Sequence, residues 1–160
     1  MRVFIAAIGR MKKGSEQDLV SRFQDRVIKT GKAIGITALE SVEITESRAS
    51  TSEVRKNEEE CALLEKLPEK CVLITFDERG KRPTSREFSA ILQSVIDAGT
   101  QNIALIIGGP DGLSPTLRQK ADHIISFGSL TIPHQLVRIL VIEQLYRAIT
   151  IRTNHPYHRD

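Results

Sequence analysis

The 160-residue sequence has few aromatic residues, two cysteines and no long apolar run. Tryptophan is absent and aromatic residues make up 4% of the chain, which argues against RNA binding by stacked aromatic platforms. Cys61 and Cys71 are too few for a disulfide framework. The N-terminal run MRVFIAAIGRMKK is too short for a membrane span and lacks the order of a signal peptide. We therefore expect a cytoplasmic protein with no membrane contact.

Three common ligand-binding and catalytic motifs are also missing. The chain has no G-x-G-x-x-G fingerprint, no Walker G-x-x-x-x-G-K-[ST] loop and no G-x-S-x-G elbow. These absences weaken the case for a doubly wound nucleotide-binding protein. They also favour Ser114 as a helix cap over Ser114 as a nucleophile.

Composition and length predict one globular domain over residues 1–160, with 40% apolar and 27% charged residues. The net charge of +3 and a pI near 9.0 are compatible with polyanion binding but do not establish it. Six glutamates between Glu53 and Glu69 are expected on a solvated helix face. Basic side chains gather beside predicted loops, either for phosphate contact or for solubility: Arg10, Lys12, Lys13, Arg79, Lys81, Arg82 and Arg86.

Strand and helix patterns alternate along the chain, which predicts an α/β fold with a mainly parallel sheet flanked by helices. The predicted strands cover residues 2–8, 36–44, 71–76, 103–107 and 124–127. The predicted helices cover residues 15–33, 52–67, 85–98, 116–121 and 134–151, with Ser114 as N-cap and Pro115 at the first position of the fourth.

Two helices carry specific packing predictions. In the 52–67 helix, helical spacing predicts a buried stripe of Val54, Cys61, Leu64 and Leu67. The 134–151 helix is apolar on nearly every side over its first three turns, unlike an amphipathic surface helix. It is either enclosed within the domain or covered by another chain. We favour a subunit interface, and hence a homodimer.

Two glycine-containing connections are candidate ligand sites. The strand IALII runs into GGPDGLSP, in which Gly108, Gly109 and Gly112 either approach a ligand or form a tight turn. The loop FGSLTIPH mixes small polar and apolar residues and could enclose an apolar ring, although it could equally be a packed connection.

The C-terminal stretch TNHPYHRD allows three interpretations. A metal site fails on ligand count, because the His155 and His158 pair would need further ligands and the two cysteines lie on different predicted elements, and we expect no metal. A disordered tail is hard to reconcile with Pro156 and Tyr157. The third interpretation is half of an active site, because Asn, His, Tyr and Arg can together grip phosphate and base edges.

Three blocks in the final third of the chain, LIIGGPDGLSP, LTIPHQLVRILVIEQLYRA and TNHPYHR, closely resemble the RlmH family of SPOUT methyltransferases. The resemblance implies a C-terminal trefoil knot, a homodimer and S-adenosylmethionine as cofactor. It further implies methylation of N3 of a pseudouridine in large-subunit ribosomal RNA, on the assembled ribosome. Asp111 stands where Glu is common in the family, and Phe76 where Leu is common.

Carried over by position, the resemblance implies cofactor contacts at Phe76, Gly108 and the loop of Phe127, Gly128, Ser129, Leu130, Thr131 and Ile132. Candidate catalytic residues are His134, which could instead cap its helix, and Tyr157, His158 and Arg159 on the substrate side. The alternatives are a SPOUT methyltransferase acting on transfer RNA and a non-catalytic ribosome assembly factor.

Overall fold

A five-stranded parallel sheet forms the centre of the computed structural model, which describes residues 1–159. The strands are β1 (Arg2–Ile8), β2 (Ala38–Ile44), β3 (Val72–Lys81), β4 (Asn102–Ile107) and β5 (His123–Ile125), in the order β2-β1-β4-β3-β5. The helices are α1 (Ser15–Gly31), α2 (Ser52–Leu64), α3 (Ser85–Asp97), α4 (Pro115–Lys120) and α5 (His134–Arg152), and a 3-10 turn covers Lys32–Ile34. The predicted α/β architecture is confirmed.

The two central strands are buried on both faces. Every residue of β4 is buried, as is every residue of β1 after Arg2. Because neither face can remain in water, the residues on alternate sides of these strands belong to two separate cores. Helices α1, α3 and α5 cover one face, and α2 and α4 cover the other.

Strand β3 continues well beyond the predicted end at Phe76. Its register with β5 shifts between Phe76 and Lys81, and Lys81 pairs with Ile125. Gly80 lies directly against the β5 backbone, so that a Cβ at this position would be 2.6 Å from backbone atoms of Ile124 and Ile125. The apolar run CVLITF therefore identified only the first half of this strand.

The buried face of α2 differs from the predicted one. Val54 is 44% exposed and Cys61 is exposed, whereas Glu59, Glu60 and Leu63 are buried. Leu64 and Leu67 pack against the core as predicted. The prediction was wrong for Val54 and Cys61, because it assigned to solvent two glutamates that have partners elsewhere in the fold. The expectation of a fully solvated acidic face is corrected with it.

Helix α5 is enclosed by its own chain along much of its length. It packs against the sheet, α1 and α3 and contributes seven of its residues to burial along its second half: Val141, Ile142, Leu145, Tyr146, Ala148, Ile149 and Thr150. Packing within one chain thus accounts for most of the apolar residues of this helix. Leu136 nevertheless remains 45% exposed near the start of the helix. Within residues 1–159, no helix combines the length and the apolar character needed to cross a membrane.

Candidate active site

A cleft of about 550 Å³ opens where β3, β4 and β5 end. Its walls come from the connection after β4, the connection between β5 and α5, and the β3 extension. Parallel sheets commonly bind ligands at this edge. The cleft brings together most of the expected cofactor contacts: Phe76, Gly108, Phe127, Gly128, Leu130, Thr131 and Ile132. Ser129 belongs to the same loop but does not line the cleft.

The connection after β4 is both a tight turn and a wall of the cleft. The Gly112 amide donates a 2.9 Å hydrogen bond to the Gly109 carbonyl, and Gly112 has φ +78°, which favours glycine. A Cβ on Gly108 would be 3.0 Å from Leu113 Cδ2, and one on Gly109 would be 2.9 Å from Ile8 Cγ2. A side chain at either position would collide with Leu113 or Ile8, so glycine lets the turn pack closely against these residues.

The connection between β5 and α5 is held by its own polar groups and by an aromatic stack. Ser126 Oγ accepts a 3.0 Å hydrogen bond from the Gly128 amide and donates one of 3.0 Å to the Gly128 carbonyl. The rings of Phe76 and Phe127 are stacked, with centroids 5.2 Å apart and an interplanar angle of 11°. Leu130 is 82% exposed at the cleft. The loop therefore offers an aromatic wall and an unburied apolar side chain to a ligand.

His134 lines the same cleft from the first position of α5. Its Nε2 lies 3.6 Å from the position that a Cβ on Gly9 would occupy, at the end of β1. The helix has no side-chain cap hydrogen bond, so the alternative of a capping histidine finds no support in these contacts. An imidazole at this place can exchange a proton with a group in the cleft.

Arg138 anchors the start of α5 to the sheet and was missed by the sequence analysis. It is 5% exposed, and its Nη1 is 2.5 Å from Glu43 Oε1. Its Nη2 donates to the carbonyls of Ile8 and Gly9. The arginine thus fixes the loop-bearing end of α5 to the ends of β1 and β2.

Helix α2 supplies further missed residues beside the glycine-rich turn. Arg55 makes a bidentate contact with Asp111, at 2.7 and 3.1 Å, and this hydrogen bonding lowers the pKa of Asp111 below its usual range. Burial raises the pKa of the Glu59 carboxyl. Glu60 Oε2 accepts a hydrogen bond from Ser114 Oγ, and its Oε1 lies 2.8 Å from Lys120 Nζ. Ser114 also accepts from the Leu117 amide, which confirms it as the N-cap of α4.

The C-terminal tail folds back onto α5. The Tyr157 hydroxyl donates a 2.9 Å hydrogen bond to Glu143, and its ring packs on Tyr146 with centroids 4.7 Å apart. The Arg147 guanidinium lies 4.9 Å from the Tyr157 ring centroid. Asn154 has φ +54° and redirects the backbone at the end of the helix. The tail is thus anchored to α5 through Tyr157, whereas Asn154, His155, Pro156 and Arg159 are exposed.

Within one chain, the tail residues lie away from the cleft. Tyr157 contacts Glu143, which follows His134 by nine positions on α5, about 14 Å at 1.5 Å per residue. His134 stands at its first position, whereas Tyr157, His158 and Arg159 follow its last turn. None of these three tail residues lines the cleft. The candidate catalytic set is therefore divided between two places in a single copy.

No group of three or more His, Cys, Asp or Glu residues suited to a metal ion occurs within residues 1–159.

Comparison with known proteins gives a clear family relationship. The model of a family described as "Predicted SPOUT methyltransferase" matches residues 1–158. The chain belongs to the SPOUT methyltransferase family.

Two relatives carry the name "Ribosomal RNA large subunit methyltransferase H". The protein from Rhizobium etli (strain ATCC 51251 / DSM 11541 / JCM 21823 / NBRC 15573 / CFN 42) is 49% identical over 159 residues, covering 99% of each chain. The protein from Allorhizobium ampelinum is 47% identical over 160 residues, covering 100% of each chain. The SPOUT relationship thus extends over the full length of proteins named for a ribosomal RNA activity.

One solved structure supports the SPOUT fold. The probable methyltransferase from Bordetella pertussis Tohama I matches with a TM-score of 0.52 and 14% identity, over 92% of this chain and 95% of that one. At this identity the likeness concerns the fold alone.

Proposed function

We propose that this SPOUT methyltransferase uses S-adenosylmethionine to methylate N3 of a pseudouridine in large-subunit ribosomal RNA. It acts in the cytoplasm, as a homodimer, on the assembled ribosome. The methyltransferase activity on large-subunit ribosomal RNA follows from the family and from the full-length relatives. The cofactor, the pseudouridine, the dimer, the knot and the ribosomal context are part of the proposal.

The cleft with its glycine-rich turn is the observation that carries the proposal. Its volume of about 550 Å³ lies in the range of pockets that enclose cofactor-sized molecules. The Phe76–Phe127 stack forms an apolar wall for a flat ring, and Gly108 and Gly109 line the same cleft. These features fit S-adenosylmethionine, with Phe76, Gly108 and the 127–132 loop holding it.

S-adenosylmethionine, when bound, supplies an electrophilic methyl group on its sulfonium. The protein contributes the alignment of the acceptor with that group, since most of the benefit of such a displacement comes from positioning. The N3 atom of pseudouridine must lose its proton. His134, which lines the cleft, either accepts that proton at a ring nitrogen or donates a hydrogen bond to the adjacent carbonyl oxygen. A pH profile of His134→Gln against the unaltered protein separates the two roles, because only the first requires a neutral ring that can be protonated.

The divided site supports a dimer in which each cleft receives the tail of the partner subunit. In one chain, Tyr157 is held at Glu143, about 14 Å along the helix from His134, and none of Tyr157, His158 and Arg159 lines the cleft. Leu136 leaves apolar surface at the cleft end of α5 that a second copy can cover. In this arrangement Arg159 binds phosphate or stabilises the charge that develops on the base.

A mixing experiment tests the shared site. One subunit carries a change in the cofactor loop, Gly128→Asp, and the other carries Arg159→Ala. If the tail acts across the dimer, each inactive homodimer is rescued by mixing, because the mixed dimer contains one intact site. An inactive mixture with proven subunit exchange overturns the shared site, as does a monomer at micromolar concentration.

The reaction itself is tested by mass spectrometry of ribosomal RNA from cells that lack the protein. We expect the loss of a single methyl group on one pseudouridine, restored by the purified protein and S-adenosylmethionine on intact ribosomes. Protein-free ribosomal RNA and transfer RNA serve as parallel substrates. Methylation of transfer RNA alone favours a different SPOUT activity, and calorimetry without any binding of S-adenosylmethionine favours a non-catalytic assembly factor.

A further inference from the structure

The buried face of α2 makes contacts of an unusual kind for a helix that covers a sheet. Arg55 and Glu59 lie one turn apart on the same side of α2, and Glu60 lies about 100° further round the helix. Glu59 is 5% exposed and Glu60 is 6% exposed. Charged residues are rarely buried to this extent unless specific partners compensate the loss of water. Arg55 and Glu60 have partners in or beside the turn after β4, and Glu59 lies beside Gly109 of the same turn.

The first contact fixes the tip of that turn. Arg55 Nε and Nη2 reach the two oxygens of Asp111 at 2.7 and 3.1 Å, and Arg55 Nη1 donates to the Ala49 carbonyl at 2.9 Å. Asp111 also lines the cleft. A planar guanidinium that holds both carboxylate oxygens restricts rotation as well as distance.

The second contact encloses Gly109. Glu59 Oε1 accepts a 2.9 Å hydrogen bond from the Ser47 amide, which fixes the carboxyl group in place. Its Oε2 lies 3.6 Å from the position of a Cβ on Gly109, while Ile8 Cγ2 lies 2.9 Å from the same point. Gly109 is thus held between α2 and the end of β1.

The third contact fixes the end of the turn. Glu60 accepts from Ser114 Oγ and pairs with Lys120 at 2.8 Å, on either side of α4. Ser114 is 1% exposed and caps α4 through the Leu117 amide, at 2.9 Å. One buried carboxylate therefore connects α2 to both ends of the short helix that follows the turn.

We infer that Arg55, Glu59 and Glu60 are positioning residues that set the shape of the Gly108–Ser114 turn and, through it, the affinity for S-adenosylmethionine. The inference rests on the proposed function, since it takes the cleft to be the cofactor site. The inference goes beyond the proposed function because it assigns a role in cofactor affinity to α2. Lys56 is the only residue of this helix that lines the cleft.

The decisive variants are Glu60→Ala and Glu60→Gln. Alanine leaves the buried Ser114 hydroxyl without its acceptor, whereas the glutamine amide oxygen can still accept from it. We expect Glu60→Ala to weaken the binding of S-adenosylmethionine about tenfold, the effect of one lost buried hydrogen bond. Glu60→Gln is expected to retain most of the affinity. Glu65→Ala, an exposed position beyond the same helix, is the matched control and leaves the affinity unchanged.

Isothermal titration with S-adenosylmethionine measures the affinity without any turnover, and S-adenosylhomocysteine serves as a second probe. Kinetics on ribosomes should show a raised KM for the cofactor in Glu60→Ala, with the KM for ribosomes and kcat at saturating cofactor unchanged. A general loss of stability would not raise the KM for the cofactor while leaving the other two kinetic constants unchanged. Thermal unfolding is recorded for each variant.

Arg55→Ala, at a partly buried position, provides an independent test if Glu60→Ala does not fold. It removes the contact with Asp111 and is expected to weaken cofactor binding less than Glu60→Ala does. If the wild-type protein binds S-adenosylmethionine and the folded variants bind it equally well, this inference is overturned but the proposed function is not. A wild-type protein that binds neither probe overturns the proposed function itself.

Discussion

The phenol of Tyr157 and the carboxylate of Glu143 are joined by a hydrogen bond of 2.9 Å, fourteen positions apart in the chain. Glu143 Oε1 also accepts from Arg147 Nε at 2.9 Å, and this hydrogen bond raises the pKa of Arg147. Burial raises the pKa of Tyr157. The phenol therefore stays protonated and keeps donating throughout the neutral range, which holds the tail against α5.

Tyr157→Phe is expected to loosen the tail without unfolding the protein. Loss of this hydrogen bond costs about 1 kcal/mol of local stability, so the tail opens roughly fivefold more often. The measurement is hydrogen exchange at the His155 amide, which donates to the Thr150 carbonyl at 3.0 Å. Tyr146→Phe is the control, since the ring contacts of Tyr146 with Phe23 and Tyr157 remain. Equal exchange in the two variants contradicts the assigned anchor.

Replacement of Arg138 is expected to lower the free energy of unfolding far more than replacement of another arginine on the same helix. Arg138→Ala leaves two backbone carbonyls, of Ile8 and Gly9, without this donor and leaves Glu43 without its cation. We expect a loss of about 3 kcal/mol in the free energy of unfolding. Arg138→Lys should recover only part of it, because an ammonium group cannot span the same acceptors.

Urea unfolding measures the effect of both changes at Arg138. Arg152→Ala, on the exposed last turn of α5, is the control and should stay within about 0.5 kcal/mol of the unaltered protein. A similar loss in Arg138→Ala and Arg152→Ala would show that the contacts of Arg138 with β1 and β2 contribute little.

The two cysteines are expected to react very differently with thiol reagents. Burial raises the pKa of the Cys71 thiol to about 11 from an ordinary value of 9.0, while Cys61 is exposed. Since the thiolate is the reactive form, a raised pKa lowers reactivity at every pH below it. At pH 8 Cys71 should have roughly a hundredfold less thiolate than an ordinary cysteine.

Alkylation at pH 8 followed by peptide mass spectrometry checks this difference. Cys61 should be modified first, and Cys61→Ser should leave a protein that resists modification until the pH approaches 11. Because the folded pKa of Cys71 is raised, its contribution to stability is complete below pH 9 and declines as the pH rises through 11. Rapid modification of Cys71 in the folded protein at pH 8 contradicts the prediction.

Much of the fold was predictable because the decisive patterns were local. The apolar runs RVFIAAI and IALII identified the two central strands, and Ser114 with Pro115 identified the start of α4. The two glycine-containing connections could be found from residue types alone, and both line the cleft. Their joint position follows from the parallel order of the sheet, which brings strand ends to one edge.

The missed parts of the site depend on partners that are distant in the sequence. Glu60 reaches Ser114 and Lys120, 54 and 60 positions away, and Arg138 reaches Gly9, 129 positions away. A charged residue on a helix is ordinarily solvated, so its own neighbourhood gives no sign of such a partner. The same reason explains the misplaced stripe on α2, where Val54 and Cys61 were favoured over Glu59 and Glu60.

Gly80 provides a test of the β3 extension that the apolar pattern did not reveal. A Cβ at this position would lie 2.6 Å from the backbone carbonyl carbons of Ile124 and Ile125, and backbone atoms of a paired strand cannot move aside as a flexible side chain can. Gly80→Ala must therefore separate β3 from β5, next to the 2.7 Å hydrogen bond from the Ser126 amide to the Lys81 carbonyl. We expect a loss of about 1–3 kcal/mol in the free energy of unfolding.

Gly99→Ala is the comparison for Gly80→Ala, because Gly99 has open space around it and a φ of +72°. That change meets only the backbone penalty of about 1 kcal/mol for an alanine in the left-handed region. Gly80→Ala should also weaken S-adenosylmethionine binding, because Ser126 and Phe127, which directly follow β5, form part of the cleft wall. Gly99→Ala should leave this binding unchanged. If both variants unfold at the same urea concentration and bind the cofactor equally, the close pairing of Gly80 with β5 does not shape the cleft.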